Sequence, residues 1–400
     1  MSDFYARQVI EALRSGVPSR AVGAYFSEAR PIMQKKIQEK LDAVRSGDKS
    51  DGMIVTGRYG EGKTHLLNSV FNMAFEENMA VSMISLGKET PVDKPYLLFQ
   101  KLLANTYLPG ASQPGFRSRL EEMTQGSSIA GDLLAYTAAE LETDKLYYVL
   151  KALLGTQEEE ERSALLADLE GDFTTAALIK RSCRRITGSP VKFRQSFTKT
   201  KHAMDYFYFT SHLIRQLGCS GWVILLDEAE LIGRLGKKTR AKSYVQMQKF
   251  LNPPPELEHV FTLFAFSSSF SEDVIDRKHE LDNVASVYAD NPEEKKKAED
   301  TLNEILRAPE LSPLTKEEII NILLSIQQFH GKAYDWQPEI SAGTLYQATE
   351  AGGYLLRTKI RAAIEFFDQL YQYGEAGKTK VTELGKESFE EEAPELPELV

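Results

Sequence analysis

The sequence predicts an α/β fold built around a central parallel sheet, and three stretches of the chain support this prediction. The apolar, β-branched run Met53–Thr56 is followed by a glycine-rich loop and then by apolar residues at helical spacing. The run Trp222–Leu226 is wholly apolar and ends in Asp227 and Glu228. A third apolar run covers Val260–Phe266. Continuous apolar runs of this length are typical of parallel strands that are buried on both faces.

Size and composition are those of a globular protein. The 400 residues are 42% hydrophobic and 26% charged, which is close to globular averages. No apolar run approaches the roughly 20 residues of a membrane-spanning helix, and the first residues lack a signal-peptide pattern. The two cysteines, Cys183 and Cys219, form no C-x-x-C pair. We therefore expect a cytoplasmic protein with reduced cysteines and no membrane partner.

Residues 1–45 predict an N-terminal helical segment. Apolar residues at positions 9, 10, 12 and 13 form one face, which ends before Gly16–Ser19. Apolar residues at positions 33, 37, 41 and 44 repeat at three- and four-residue steps and predict a second helix. Two interpretations of this second helix stand: it packs beside a bound nucleotide base, or it covers the sheet.

The glycine-rich loop fits the pattern G-x-x-x-x-G-K-[ST]. Its glycines let backbone N–H groups approach and surround phosphates, and a helix N-terminus follows it. Lys63 has the reach to contact the β- and γ-phosphates, and the Thr64 hydroxyl is a ligand for Mg²⁺. The order strand, loop, helix disfavours a chance surface turn, so the loop predicts nucleoside triphosphate binding, with ATP and Mg²⁺ as cofactors. The candidate nucleotide-binding residues are Gly57, Arg58, Tyr59, Gly60, Glu61, Gly62, Lys63, Thr64 and His65.

A large helical insertion is predicted after the second strand. Ala80–Leu86 alternates apolar and small polar residues, as a strand does. Helical patterns then dominate over residues 94–217, apart from a glycine- and proline-rich break at Pro109–Gly115. Because this stretch is too long for one crossover between strands, we interpret it as an insertion in a core that covers residues 46–312.

The insertion carries opposite charges in two successive stretches. The acidic one holds Glu158, Glu159, Glu160, Glu161, Asp168, Glu170 and Asp172, and the basic one holds Lys180, Arg181, Arg184, Arg185, Lys192, Arg194, Lys199 and Lys201. Such stretches form solvated faces or pair across the fold, and the alternative is a surface for nucleic acid or a partner protein. The net charge of −10 argues against a surface that is basic throughout, but it permits a local basic patch.

Asp227 and Glu228 follow an apolar strand, which would deliver both carboxylates to the carboxyl edge of the sheet, where α/β folds bind ligands. We expect Asp227 to hold Mg²⁺ and Glu228 to orient or deprotonate an attacking water. Ser267, Ser268 and Ser269 follow the apolar run Val260–Phe266, and two roles for these serines remain open. A hydroxyl there contacts the γ-phosphate or the water, or the serines cap the next helix.

Residues 313–375 predict a C-terminal module of three helices. Thr315 and Glu318 form a capping box at the start of the first, the second includes Ile340–Glu350, and the third spans about 355–373. Ile305 and Leu306 are interpreted as a last short strand before this module. The final residues, 376–400, are rich in glutamate and predict an acidic disordered tail.

Together these features resemble the AAA+ branch of P-loop ATPases, over roughly residues 45–100 and 215–373. The resemblance implies a sheet of order 5-1-4-3-2, a C-terminal helical lid over residues 313–375, and Asp227 and Glu228 as the Walker B pair. It places Ser268 near the first sensor position. It also identifies Arg357 as the sensor arginine that reaches the γ-phosphate. Arg361 is a rival, because the lid glycines Gly352 and Gly353 are followed by Tyr354–Leu356 rather than by a close copy of the usual lid motif.

AAA+ proteins commonly assemble so that one subunit lends an arginine to its neighbour's nucleotide. The resemblance therefore implies a homo-oligomer and a catalytic arginine that acts in trans. Arg277 is the first candidate for that arginine, and Arg240 and Arg307 are alternatives.

More narrowly, the chain resembles the BrxD-type P-loop ATP-binding proteins of bacterial phage-exclusion (BREX) systems. The stretches that carry this resemblance are residues 10–18, the loop with its following His65, Leu225–Glu230 and Arg240–Tyr244. The family implies antiviral defence beside DNA-handling partners such as a helicase, a methyltransferase or a nuclease, and DNA itself.

Two functions from different classes are then open. The first is a Mg²⁺-dependent ATPase whose nucleotide state drives assembly or the handling of DNA or partner proteins. The second is a nucleotide-gated scaffold that binds DNA or protein with negligible hydrolysis. A kinase for a small molecule is a third, which the Asp227–Glu228 pair disfavours because it suits water as the acceptor.

Overall fold

The centre of the fold is a five-stranded sheet. The computed structural model that shows it describes residues 3–15, 30–111, 113–124, 126–350 and 356–377. The strands are β1 (Met53–Gly57), β2 (Ala80–Ser85), β3 (Thr106–Tyr107), β4 (Trp222–Asp227) and β5 (Val260–Ser267). The predicted turn Gly16–Ser19, the glycines Gly352 and Gly353 and the tail after residue 377 lie outside the described residues.

The described helices, in chain order, are α1 (Asp3–Ser15), α2 (Pro31–Ser46), α3 (Lys63–Glu76), α4 (Pro95–Ala104), α5 (Arg117–Glu121), α6 (Ser128–Ala139), α7 (Lys145–Gly155), α8 (Glu159–Ala167), α9 (Ala176–Thr187), α10 (Lys199–Gln216), α11 (Lys237–Leu251), α12 (Glu280–Val287), α13 (Pro292–Arg307), α14 (Lys316–Tyr334), α15 (Ala342–Ala348) and α16 (Leu356–Tyr373). Short 3₁₀ or π turns lie at Ala229–Arg234, Pro255–Leu257, Asp168–Asp172 and Ser271–Asp276. No helix in these described stretches is long and apolar enough to cross a lipid bilayer.

The strand order is β1-β5-β4-β2-β3, with β1, β5, β4 and β2 parallel and β3 antiparallel to β2. The order differs from the predicted 5-1-4-3-2 at both edges: the unpredicted β3 lies beside β2, and no fifth parallel strand is assigned beside β1 in the described part of the chain. Between these edges, β1, β5, β4 and β2 are the strands that the prediction numbers 1, 4, 3 and 2, and they lie in that order. The strand expected at Ile305 and Leu306 lies instead in α13, because Ala298, Leu302 and Ile305 recur at helical spacing and bury one face of it.

A single parallel bridge stands beside β1 where a further strand was expected. The Thr56 N–H donates to the Pro309 carbonyl at 3.0 Å, and the Leu311 N–H donates to the Thr56 carbonyl at 2.7 Å. Proline has no N–H to extend such a ladder. The pairing at this edge therefore stays limited to one bridge.

Both faces of the sheet are covered, as the apolar runs predict. Along β4, Trp222, Ile224 and Leu226 pack into the larger core with the insertion helices. Val223 and Leu225 pack on the opposite face with α2 and α3. The buried apolar face of α2 lies in this second core, so α2 covers the sheet.

The helices between β2 and β4 are joined by buried and exposed ion pairs. The Lys145 ammonium lies 2.6 Å from an Asp168 oxygen, and the Tyr206 hydroxyl donates to the other oxygen at 2.7 Å. Arg185 pairs with Glu158 and Glu161. The two charged stretches of the sequence thus pair in part with each other.

The C-terminal helices form a third core together with α1. Val9 and Ile10 of α1 are fully buried among apolar side chains of α14 and α16. Arg14 also forms an ion pair with Asp368 at 2.8 Å. The two helices predicted within residues 1–45 therefore lie in different cores. The capping box of Thr315 and Glu318 at the start of α14 is confirmed.

A buried polar network fixes α11 against α12. The Arg240 guanidinium donates to Glu280 at 2.7 Å, and the Tyr244 hydroxyl and the Asn283 amide each donate to the same carboxylate at 2.9 Å. Arg240 and Glu280 are each about 1% exposed. Burial raises the pKa of the Tyr244 hydroxyl well above its ordinary value, so it stays a donor.

We predict that Glu280→Ala destabilises the protein by about 3–5 kcal/mol, because it leaves a buried guanidinium without its carboxylate. Urea unfolding followed by circular dichroism measures the change. Glu272→Ala is the control, since Glu272 forms an exposed ion pair with Arg277 and its loss should cost no more than about 1 kcal/mol. Equal effects of the two substitutions would contradict the prediction.

Candidate functional site

The carboxyl ends of β1, β4 and β5 meet at one edge of the sheet, and the glycine-rich loop connects β1 to α3 at that edge. Gly60 and Gly62 have φ of 81° and 93°, a region that favours glycine. A Cβ on Gly62 would lie 3.4 Å from Nη1 of Arg30. The turn therefore favours glycine at position 62 because of its backbone angle, while the contact with Arg30 would be an ordinary van der Waals contact.

The loop helix and the tip of β4 are joined by one hydrogen bond. The Thr64 hydroxyl donates to Oδ2 of Asp227 at 2.5 Å. The other oxygen, Oδ1, accepts the Glu228 N–H at 2.9 Å. The hydroxyl and the carboxylate that the sequence assigns to one metal ion thus lie in direct contact.

Lys63 is almost fully buried beneath the loop. Its ammonium donates to the Gly57 carbonyl at 3.0 Å and lies 4.0 Å from an oxygen of Glu230. The Glu230 side chain is about 2% exposed. This carboxylate is a neighbour of the loop lysine that sequence reasoning missed. Its only signal is its place two residues after Glu228.

Glu228 is exposed and has a left-handed backbone, with φ of 54°. In a residue other than glycine, this conformation costs about 1 kcal/mol or more. Residues with such a strained backbone cluster at functional sites. Here the bend ends β4 and starts the turn Ala229–Arg234. It separates the exposed Glu228 from the buried Asp227 at the strand tip.

Ser268 follows β5 directly and lies beside the loop. Its N–H donates to the Gly57 carbonyl at 3.2 Å, the same carbonyl that accepts from Lys63. The Ser267 and Ser269 hydroxyls hydrogen-bond each other at 3.2 Å. No side-chain cap is formed at the turn Ser271–Asp276, so the predicted capping role of these serines is not seen in this described stretch.

The C-terminal helices reach the loop through Arg357. Its Nη1 donates to the Tyr59 hydroxyl at 3.0 Å, and the guanidinium carbon lies 5.9 Å from the centre of that ring. Its Nε is buried and makes no hydrogen bond among the described residues. Arg361, one turn further along α16, has no hydrogen bond or ion pair to the loop in the described part of the chain.

A second arginine at the loop, Arg30, was missed by sequence reasoning. Its Nη2 donates to the Glu61 carbonyl at 2.7 Å and to the Ser312 carbonyl at 3.4 Å. Burial lowers the pKa of this guanidinium, and the charges of Glu61 and Glu318 oppose that effect. Its Nε finds no hydrogen-bond acceptor among the described residues. Position 30 lies outside any motif, so no local signal marked it.

The other predicted residues lie in different settings. His65 is in the first turn of α3, and the Arg58 N–H donates to the Glu61 carboxylate at 2.8 Å. Arg277 is 65% exposed and pairs with Glu272 and Asp273 of its own segment. Arg307 is exposed, whereas Arg240 is buried. Of the three arginines, only Arg277 and Arg307 present their side chains at the surface.

The site therefore combines three features that suit a phosphate chain with a hard cation. The loop and the N-terminus of α3 offer backbone N–H groups. Lys63, Arg30 and Arg357 supply positive charge. The Thr64 hydroxyl and the Asp227 carboxylate supply oxygen ligands, which Mg²⁺ prefers and usually combines with substrate phosphates and water.

We predict that Gly62→Ala lowers the free energy of unfolding by about 1–2 kcal/mol, because alanine is strained at this φ. Urea unfolding measures the loss. Gly131→Ala is the matched control: Gly131 is exposed within α6, and a Cβ there would meet nothing within 4 Å, so alanine should be neutral or stabilise by up to about 1 kcal/mol. A Gly62→Ala protein as stable as this control would contradict the prediction.

Comparison with known protein families finds a match that spans most of the chain. The model of the family described as BREX system ATP-binding protein BrxC/D matches residues 2–124 and 120–382. The search of curated proteins found no match. The family match covers the glycine-rich loop, β4 with Asp227 and Glu228, and the C-terminal helices, and it confirms the resemblance that the sequence motifs carry.

Proposed function

The chain belongs to the family of BREX system ATP-binding proteins BrxC/D, and we propose that it is a Mg²⁺-dependent ATPase of the AAA+ type. Membership of the family implies ATP binding and a role in phage defence. In the proposal, hydrolysis of ATP to ADP and phosphate couples nucleotide state to assembly, or to the handling of DNA or partner proteins. The observation that carries the proposal is the hydrogen bond between Thr64 and Asp227.

The Thr64–Asp227 contact supports a Mg²⁺ site, because the hydroxyl and the carboxylate are both oxygen donors at the start of the loop helix. Mg²⁺ held there would neutralise charge on the β- and γ-phosphates. Lys63 now donates to the Gly57 carbonyl. On ATP binding, its ammonium would exchange that carbonyl for phosphate oxygens, while the backbone N–H groups of residues 60–64 surround the β-phosphate.

Glu228 is the proposed general base. It follows the metal-binding Asp227 directly and is exposed at the carboxyl edge of the sheet. In this role Glu228 takes a proton from the water as the water oxygen attacks the γ-phosphorus and the bond to the β,γ-bridging oxygen breaks. The buried Glu230 would instead hold Lys63 in place, since its carboxylate lies 4.0 Å from the ammonium.

Two residues are proposed to sense the γ-phosphate. Ser268 lies beside the loop through its bond to the Gly57 carbonyl. Arg357 already contacts the loop through Tyr59, so a small movement of α16 would bring its guanidinium to the phosphate. The C-terminal helices would then act as a lid. Arg30 supports the loop through its hydrogen bond to the Glu61 carbonyl.

An assembly of several copies is proposed to complete the site in trans. Arg277 is the favoured donor, because its guanidinium is 65% exposed. Other components of the defence system, such as a helicase, a methyltransferase or a nuclease, and DNA are the proposed partners. We place this work in the cytoplasm.

The alternative function is a nucleotide-gated scaffold that binds DNA or protein with negligible hydrolysis. The basic residues of α9 and the following segment favour it, because they lie outside the nucleotide site. Turnover measured with and without DNA separates the two functions. A scaffold would show ATP-dependent binding to a partner with no turnover in either condition.

We predict that Lys63→Ala abolishes ATP binding, because the loop loses its phosphate-binding ammonium. Glu228→Gln should bind ATP but hydrolyse it about 10²–10⁴-fold more slowly, since the general base is lost. Binding of a fluorescent ATP analogue and phosphate release measure the two effects. Glu140→Gln, at an exposed glutamate at the end of α6 on the insertion, is the control. Normal turnover in Glu228→Gln together with lost turnover in Glu230→Gln would overturn the assignment of the base.

We predict that Arg357→Ala slows hydrolysis by about 10²-fold or more, as expected for a donor to charge that develops in the transition state. Arg361→Ala should leave turnover within a factor of about two. Both positions lie on α16 one turn apart, so lost helix packing would affect both. Steady-state kinetics give the comparison, and a larger loss in Arg361→Ala would assign the sensor role to Arg361 instead.

A further inference from the structure

Two adjoining cavities on the helical insertion are lined by basic side chains. One, of about 470 Å³, lies between the start of α9 and the extended segment 192–197. The other, of about 580 Å³, lies along α9 and the residues that follow it. Lys180 lines both cavities. Neither belongs to the nucleotide site.

The walls of these cavities are strongly positive in a protein whose net charge is −10. Within the described part of the chain, no aspartate or glutamate lines either cavity. The basic lining residues are Lys145, Lys180, Arg181, Arg184, Arg185, Lys192 and Arg194. Such a concentration of one charge in a concave surface attracts a ligand of the opposite sign.

No carboxylate in the described part of the chain neutralises three of these cations, so they are available to a ligand. Lys180, Arg184 and Lys192 are exposed, and none of them forms an ion pair with a carboxylate among the described residues. The other four basic lining residues are partly neutralised: Arg181 and Arg185 by Glu161, Arg194 by Asp144, and Lys145 by Asp168. The unpaired cations are distributed over both cavities, so one extended anion would contact all three.

The aromatic side chains in the walls support the cations. Phe193 stacks on Tyr148, with ring centres 5.3 Å apart. The ammonium of Lys180, on α9, lies 5.0 Å from the centre of the Phe193 ring. With its ring engaged in this way, Phe193 offers no open platform for a nucleobase. The cavities therefore suit a charged backbone better than unstacked bases. The N-terminus of α9 adds the positive end of its dipole at the first cavity.

We propose that the two cavities form a binding site for the phosphate backbone of a nucleic acid. A nucleic-acid strand carries a phosphate at every nucleotide, so a single strand or one strand of a duplex presents regular charge to both cavities. An acidic protein lacks this regular spacing. This site would be the surface that contacts DNA in the proposed function, and in that sense the inference rests on the proposed function. The contacts themselves require no ATP hydrolysis.

The test uses the full chain with the triple variant Lys180→Gln, Arg184→Gln and Lys192→Gln. The matched control is Lys35→Gln, Lys36→Gln and Lys296→Gln, which removes the same charge from three exposed lysines elsewhere. Fluorescence anisotropy measures binding of labelled single-stranded DNA, duplex DNA, single-stranded RNA and polyglutamate at several salt concentrations. Circular dichroism melting verifies that both variants fold.

The unmodified chain and the control should bind nucleic acid with affinity that falls steeply with salt. The triple variant should bind at least about tenfold more weakly. Its slope of log affinity against log salt should be shallower by about 2 for a single strand, since each phosphate contact contributes about 0.7. A second variant, Lys180→Arg with Lys192→Arg, should keep its binding because it keeps the charge.

Equal binding by the triple variant and the control would overturn the proposal. So would loss of polyglutamate binding with nucleic-acid binding unchanged, which would assign the surface to an acidic protein. The DNA and RNA arms identify the form of nucleic acid. Lys63→Ala should bind nucleic acid in the absence of ATP as the unmodified chain does, so failure of the ATPase proposal and failure of this one give different results.

Discussion

The hydrogen bond from Thr64 to Asp227 joins two parts of the chain that lie 163 positions apart. The sheet makes this contact possible, because β1 and β4 both run parallel to β5 between them and end at the same edge. The insertion connects β2 to β4, and it must do so without shifting the register in which β4 pairs with β2. Six residue pairs between β2 and β4, from Ala80 with Trp222 to Ser85 with Asp227, hold that register. A slip of one residue would turn Asp227 to the other face of the sheet.

Much of this architecture is predictable from the sequence, and the exceptions have a common cause. β1, β4 and β5 are predictable from their apolar runs, because a short continuous apolar run is typical of a parallel strand that is buried on both faces. β3 has two residues and no periodicity, and it is held by side-chain contacts such as that between Thr106 and Ser82. Arg30 and Glu230 reach the loop from other parts of the fold. A local motif contains the residues of its own stretch, and it carries no information on such neighbours.

The charges of the molecule are arranged locally. An acidic chain can bind polyanions because charges further away than about 8 Å are largely screened at physiological salt. At the loop, Lys63, Arg30 and Arg357 lie together near backbone N–H groups. On the insertion, the excess of cations lies in two adjoining cavities. Net charge is therefore a poor guide to what this protein binds.

The packing of α1 against α14 and α16 has a consequence for synthesis on the ribosome. Arg14 and its partner Asp368 lie 354 positions apart. At about 5–20 residues per second, translation delivers the partner roughly 20–70 s after the arginine. Until α14 and then α16 are synthesised, the apolar face of α1 has no native surface to cover it. The nascent chain would thus be open to chaperone binding or to association with other nascent chains until the last helices emerge.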